Sequence, residues 1–268
     1  MIQSILKRLS IPFSLACMIG IIMEVALIIY TVFDHVVELP IMAWVYSSDF
    51  FALVYPIFCS VPFCWIIYYE KKGGYFNYVH TRIDIEKYLR THYLCGCLMV
   101  FICVFVISFF GAFISTCFVK PIYPSLDWEN DINEILRYFM GKMIINHPLL
   151  CGLLLSLWRG FIGILMYTFS FLLSLNSRHL FVVLTGGFIY SILENFVTAI
   201  IGYSNISLCH AFDPWSLNWE YFSLSPYVSM LIGPLVLSGF CIVLFIHYVK
   251  QKGIENGTYS VKVSQYSE

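Results

Sequence analysis

Three ionisable residues sit inside long apolar runs: Glu24, Arg159 and Glu194. A charge within a membrane-spanning segment is expensive, so each one is a functional hypothesis by default. Counted inward from the nearer end of its run, each lies nine or ten residues deep, roughly 14 Å at the helical rise. Arg159 and Glu194 fall on consecutive runs, so a buried ion pair between antiparallel helices is geometrically open. Such a pair could orient the helices, or all three groups could serve substrate passage or a proton relay. No other constellation offers catalysis. There is no GxxxxGK followed by Ser or Thr, no HExxH and no GxSxG. His92 and His247 lack ligand-spaced partners, and both are expected near the membrane interface. The sequence therefore predicts no catalytic, cofactor or metal site.

The second region of interest is the polar stretch 70–93, EKKGGYFNYVHTRIDIEKYLRTHY. It holds Lys71, Lys72, Arg82, Lys87 and Arg90. The adjacent Gly73 and Gly74 break any helix arriving from the apolar run before them. Tyr75, Phe76, Tyr78 and Val79 then give a short apolar-faced segment. Asp84 can cap a new helix that carries Ile85, Tyr88 and Leu89 on one side. The stretch reads as hinge, short surface helix, turn and next helix. Glu70 and Arg82 flank the short helix, and an ion pair between them would brace it across the glycines.

Composition sets the frame for both regions. Of the 268 residues, 60% are apolar and 12% are charged, about half the charged share of a soluble domain, roughly 25%. The mean hydropathy is +0.81. Six apolar runs are long enough to cross a bilayer. They cover about 12–33, 46–69, 94–118, 149–175, 180–203 and 228–249, and 250–268 forms a polar tail. The expected fold is an all-α polytopic membrane protein of a single domain, 1–268, with six transmembrane helices. The ten cysteines lie mostly within the runs and form no disulfide framework, although Cys117 and Cys209 share one end. The net charge of -1 and the absence of a basic block exclude a nucleic-acid surface.

Two amphipathic segments complete the pattern. Ile2, Ile5, Leu6 and Leu9 recur at helical spacing beside Gln3, Lys7 and Arg8, which predicts a short N-terminal helix lying in the interface. Between the third and fourth runs, Ile132, Ile135, Leu136, Phe139, Met140, Met143 and Ile144 form a complete stripe. Asp131 and Glu134 head it as a capping-box-like pair. This predicts an amphipathic helix on the outer membrane surface, as a lid near an exit or as a simple cover. Pro56 and Pro62 interrupt the second run, and neighbouring helices are expected to satisfy the carbonyls they free.

Lysine and arginine decide orientation. With the N-terminus inside, the inner side carries eleven, including Lys7, Arg8, the five of 70–93, Arg178 and Lys250, against Lys120, Arg137 and Lys142 outside. Both termini are then cytoplasmic.

The inner stretch resembles the permease subunits of ABC-type exporters with the type-2 export fold. The matching features are Glu70, Lys71, Lys72, Gly73, Gly74, Arg82, Lys87 and Tyr88, together with the six-span pattern along the whole chain. In that family this loop holds the coupling helix that docks on a separate ATPase subunit. Short re-entrant helices lie between the last two spans. The resemblance implies a multi-pass plasma-membrane permease paired with a second permease chain, with ATP bound by a partner. The coupling loop would comprise Glu70, Gly73, Gly74, Tyr75, Phe76, Val79, Arg82 and Tyr88, with Tyr75, Phe76 and Val79 filling the partner's groove. The substrate would be an amphipathic peptide, a bacteriocin-like peptide or a hydrophobic drug. Two alternatives stay open: a secondary transporter using Glu24, Arg159 and Glu194, and a non-transporting immunity or sensor protein. The absence of inverted repeats weighs against the first.

The orientation carries a direct test. Single cysteines at Ser177 and Ser264 should be shielded from an impermeant thiol reagent in intact cells, and one at Ser125 should react. Labelling at Ser264 from outside would reverse the assigned orientation.

Overall fold

A computed structural model describes residues 2–34, 37, 39–120, 133, 135–217 and 225–265, with side chains described as far as residue 250 and missing at a few positions within that range. The described residues are almost entirely helical. We number the helices α1 (Ile2–Asp34), α2 (Met42–Lys72), α3 (Tyr75–His80), α4 (Ile85–Phe118), α5 (Gly141–Asn146), α6 (Pro148–Asn176), α7 (Leu180–Ile201), α8 (Leu208–Phe212) and α9 (Pro226–Gln265). Six of them, α1, α2, α4, α6, α7 and α9, are long and apolar enough to cross a membrane.

Helix α6 is the hub. It packs against α2, α4, α7 and α9, while α1 closes the far side against α2 and α4. Its side chains at Tyr167, Met166 and Ile162 are buried accordingly. By contrast α7 and the membrane part of α9 bury few of their residues, as helices facing lipid do. The first turns of α1 and the Leu244 region of α9 lie at the same end of the bundle as the 70–93 loop. Arg8 reaches Glu70 at 2.9 Å, and Asn176 at the end of α6 donates to the Leu244 carbonyl of α9 at 3.2 Å.

Pro56 leaves the Ala52 carbonyl without its helical donor. The Cys209 thiol of α8 occupies that acceptor at 3.8 Å, so a neighbouring element does satisfy a carbonyl freed by proline. Ser60, one turn further on, bonds the Pro56 carbonyl at 2.9 Å and the Leu184 carbonyl of α7 at 2.8 Å.

Two expected helices take a different form. Residues 2–11 are no separate interfacial helix; they continue into the first span as the unbroken 33-residue α1. At about 1.5 Å per residue such a helix outruns a hydrocarbon core of about 30 Å, so one helix is long enough to carry Lys7 and Arg8 beyond it. The amphipathic stripe after the third span is also no single helix. Met140 adopts φ 59°, the left-handed region, and only Gly141–Asn146 continues as α5. Ile135, Phe139 and Ile144 nonetheless stay buried, because the break folds both pieces onto the bundle. The supposed capping pair, Asp131 and Glu134, lies outside the described residues.

Between α7 and α9 the chain turns back into the bundle. A 3-10 turn (Ser204–Ile206), α8 and a second 3-10 turn (Pro214–Ser216) follow one another, and Leu208, Ala211, Phe212, Asp213 and Leu217 are fully buried. Gly233 of α9 permits this. A Cβ there would stand 2.9 Å from the Leu208 nitrogen and 3.0 Å from its Cα, so only glycine lets α9 approach the segment's backbone. Overpacking of this kind costs about 1–3 kcal/mol. Gly233→Ala should therefore lower the thermal midpoint of the detergent-solubilised protein. Gly239→Ala, where a Cβ meets nothing within 4 Å, should leave it unchanged or raise it slightly. Equal behaviour of the two variants would contradict the close approach.

Candidate functional site

Arg159 is fully buried, eleven residues into α6, and four elements surround it. Its Nη2 donates to Asp213 Oδ1 at 3.0 Å and its Nη1 to Ser108 Oγ of α4 at 2.9 Å. The Trp44 ring of α2 faces the guanidinium at 4.3 Å and the Phe212 ring of α8 at 5.3 Å. A buried cation needs both a counter-charge and occupied donors; here Asp213 gives the first, Ser108 shares the second, and aromatic faces add cation–π attraction.

The partner of Arg159 is thus Asp213, not Glu194. Glu194 accepts the Leu208 N–H at 2.9 and 3.1 Å and so holds the first turn of α8. The two groups do different jobs on the same segment. Asp213 closes α8, its own N–H bonded to the Cys209 carbonyl at 3.1 Å, and Pro214 starts the next turn. Trp158 Nε1 holds the Ala211 carbonyl at 2.7 Å, one helical position from Arg159. Phe212 stacks on Tyr55 with centroids 4.0 Å apart. Ser207 caps α8 through the His210 N–H at 3.3 Å and lies 2.8 Å from His210 Nδ1. Burial lowers the His210 imidazole from its ordinary value, with Asp213 drawing it back in part.

Glu24 of α1 joins the same neighbourhood. A Cβ on Gly111 would strike both Glu24 Cγ, at 2.7 Å, and Trp44 Cδ1, at 2.8 Å, so carboxyl and indole lie side by side. Glu24 is 1% exposed, and neither carboxyl oxygen makes a hydrogen bond of normal geometry among the described residues. Asp49 of α2 lies within electrostatic reach of Arg159 and Asp213. The guanidinium contacts one carboxylate, Asp213, with the Glu24 and Asp49 carboxyls within electrostatic reach. No group of His, Cys, Asp and Glu suited to a metal ion occurs among the described residues. All ten cysteines are free, Cys117 exposed and Cys209 buried against Ser191 at 3.5 Å.

At the opposite end, the loop has the predicted order. Lys72 ends α2, Gly74 takes φ 70° and α3 follows. Asp84 Oδ1 accepts the Glu86 N–H at 3.1 Å and caps α4. The brace differs from expectation: Glu70 bonds Arg8 at 2.9 Å and the Tyr88 hydroxyl at 2.8 Å, and Arg82 is left exposed. The guanidinium of Arg8 also lies over the Tyr75 ring at 5.4 Å. Tyr75 and Phe76 turn inward to Tyr88, with centroids 6.3 and 6.4 Å away, and Val79 is buried. Val79 belongs to the core, and Tyr75 and Phe76 pack half-buried against it. Among the described side chains of α3, Tyr78 is the exposed one, at 76%. His92, in the second turn of α4, is buried, within 6.2 Å of the Tyr88 ring.

No family model, curated protein or solved structure matches this chain. The site is therefore read from its own chemistry. Sequence inspection found Arg159 and Glu24 because charge stands out in an apolar run. It missed Asp213, which lies in a loop where acids are ordinary; the only hint was Asp213-Pro214-Trp215, a charge set among buriable rings. Asp49 escaped notice near the start of its run, and Arg8 because 62 residues separate it from Glu70.

Breaking a buried ion pair costs about 3–5 kcal/mol, since one charge remains unpaired. Arg159→Met and Asp213→Leu should each lower the yield of folded protein strongly, and the double variant should recover more than either. Arg159→Met combined with Glu194→Leu should show no such recovery. Simple additivity for Arg159 and Asp213 would dissolve the pair.

Proposed function

We propose that this chain is the membrane-spanning subunit of an ATP-driven exporter in the plasma membrane, with both termini cytoplasmic. The observation that carries the reading is α3. It is a short helix set between two spanning helices, with Tyr78 exposed on it and Arg82 exposed just beyond it. Its inner face is fixed to three long helices at once. Glu70 of α2, Arg8 of α1 and Tyr88 of α4 share one hydrogen-bonded knot. A push on α3 would therefore move all three, which is what a coupling helix must do. A purely topological loop needs basic residues but neither the knot nor a packed aromatic face.

In this reading a separate cytoplasmic ATPase binds ATP and docks on α3, and a second permease chain, identical or not, completes the path. ATP-driven closure of the ATPases tilts α3, and the bundle passes an amphipathic or hydrophobic substrate outward. Segment 204–217, held by Arg159 and Glu194, is the part of the outer end best placed to respond. A second reading, secondary transport, draws on the buried Glu24 carboxyl beside Trp44, a group that could carry a proton near Arg159.

Loss of an interfacial aromatic can cost about 2 kcal/mol, roughly a thirtyfold fall in affinity. Tyr78→Ala should keep folded yield and topology, release the co-purifying ATPase and abolish export. Tyr78→Phe should retain both. Phe76→Ala should act differently and reduce stability, because Phe76 packs internally. Export that survives Tyr78→Ala and depletion of ATP, yet stops in Glu24→Gln, would favour the secondary transporter.

A further inference from the structure

A cleft of 520 Å³ opens sideways between α4 and α9, with α6 as its floor. Leu172 and Phe171 form the floor, and Ile242 and Phe245 the α9 wall. The floor residues are buried, while Ile242 and Phe245 are more than half exposed. The deep end closes where the Tyr93 hydroxyl meets Thr168 Oγ1 at 2.8 Å. The rim carries Glu86 and Arg90, at the start of α4.

The polarity runs in one direction. From Glu86 to Tyr93, and along α9 from Val249 to Cys241, the lining passes from charged rim to apolar depth over about 10–12 Å at the helical rise. These are the ends of α4, α6 and α9 that share the boundary with the 70–93 loop. A molecule fitting here has a charged head at the boundary and a hydrocarbon tail pointing to the membrane centre. The cation at the rim is only loosely held: Arg90 pairs with Glu86 one helical turn away at 3.8 Å, and both are largely exposed, a pairing worth little. Lys250, one residue beyond the α9 wall, is exposed as well. Anionic headgroups are drawn to such juxtamembrane cations. An apolar recess of this volume lies in the usual range of ligand sites.

We propose that the cleft binds one acyl chain of an anionic phospholipid from the adjoining leaflet, with the phosphate at Arg90. This site is separate from the Arg159 cluster and stands whether or not an ATPase docks on α3. A lipid held there would wedge α4 against α9 across α6.

The test uses the full chain in nanodiscs containing phosphatidylglycerol with a photoreactive group near the end of one acyl chain. After irradiation, cross-linked peptides are mapped by mass spectrometry. The expected result is adducts concentrated in 168–175 and 241–249, well above those at Phe196 on the exposed face of α7. Arg90→Gln, a surface change, should reduce the cleft adducts about fivefold relative to Phe196, as loss of one cation near a headgroup implies. A zwitterionic probe should label the cleft less than the anionic one. Leu172→Trp, which fills the floor, should suppress labelling even if Arg90→Gln proves mild. Adducts spread evenly over the exposed helices, equal labelling by both headgroups, or a cleft left unlabelled because a second copy covers it would each overturn the proposal.

Discussion

The buried charge of Arg159 constrains more of this structure than any other single group. An arginine in the interior of an apolar bundle must find an anion and acceptors there. No spanning helix gives the anion in direct contact. It comes from the chain between α7 and α9, which must fold back so that Asp213 reaches Nη2 at 3.0 Å. That return sets secondary requirements: glycine at 233, a cap from Glu194 and a stack on Tyr55. The thiol of Cys209 then lies where proline has freed a carbonyl of α2. The ion pair and the irregular segment explain each other. Irregular backbone at membrane depth is tolerated only when protein surrounds it, and here the burial of Phe212 and Leu217 and the bonds around them meet that condition.

At the other end the constraint is mechanical. The left-handed Gly74 lets α3 leave α2 at once, and the Glu70 carboxylate gathers Arg8 and the Tyr88 hydroxyl. Tyr75, Phe76 and Val79 are engaged in packing, and Tyr78 and Arg82 are exposed. A partner surface that recognises α3 needs an aromatic pocket and a nearby acid. At both ends a short helix packs beside long ones that charged side chains tie together.

The sequence made some of this legible. Six spans follow from six apolar runs, because a membrane demands continuous hydrocarbon surface over a fixed length. The hinge, short helix and Asp84 cap follow from glycines and an N-cap whose effects are local. What stayed hidden is long-range choice of partner. Arg159 could reach Glu194 on the next helix as readily as an acid 54 residues away, and periodicity says nothing about which is chosen. The same holds for Glu70, whose nearby candidate Arg82 lost to Arg8. The stripe over 132–144 has helical spacing, yet Met140 breaks it, because burying both halves requires a turn that spacing alone does not encode. Residues 2–11 read as interfacial from their composition, but the cationic pair only marks where a longer helix leaves the hydrocarbon.

The central claim is that α3 is a docking element for an ATPase subunit. The most direct measurement places a photo-cross-linking amino acid at position 78 of the full chain in its native cells and identifies what is captured. The account predicts a soluble nucleotide-hydrolysing protein, joined through Tyr78 and no longer captured when the same group is placed at Phe196 on the far helix. Capture of lipid alone at position 78, or of no protein at all, would contradict it.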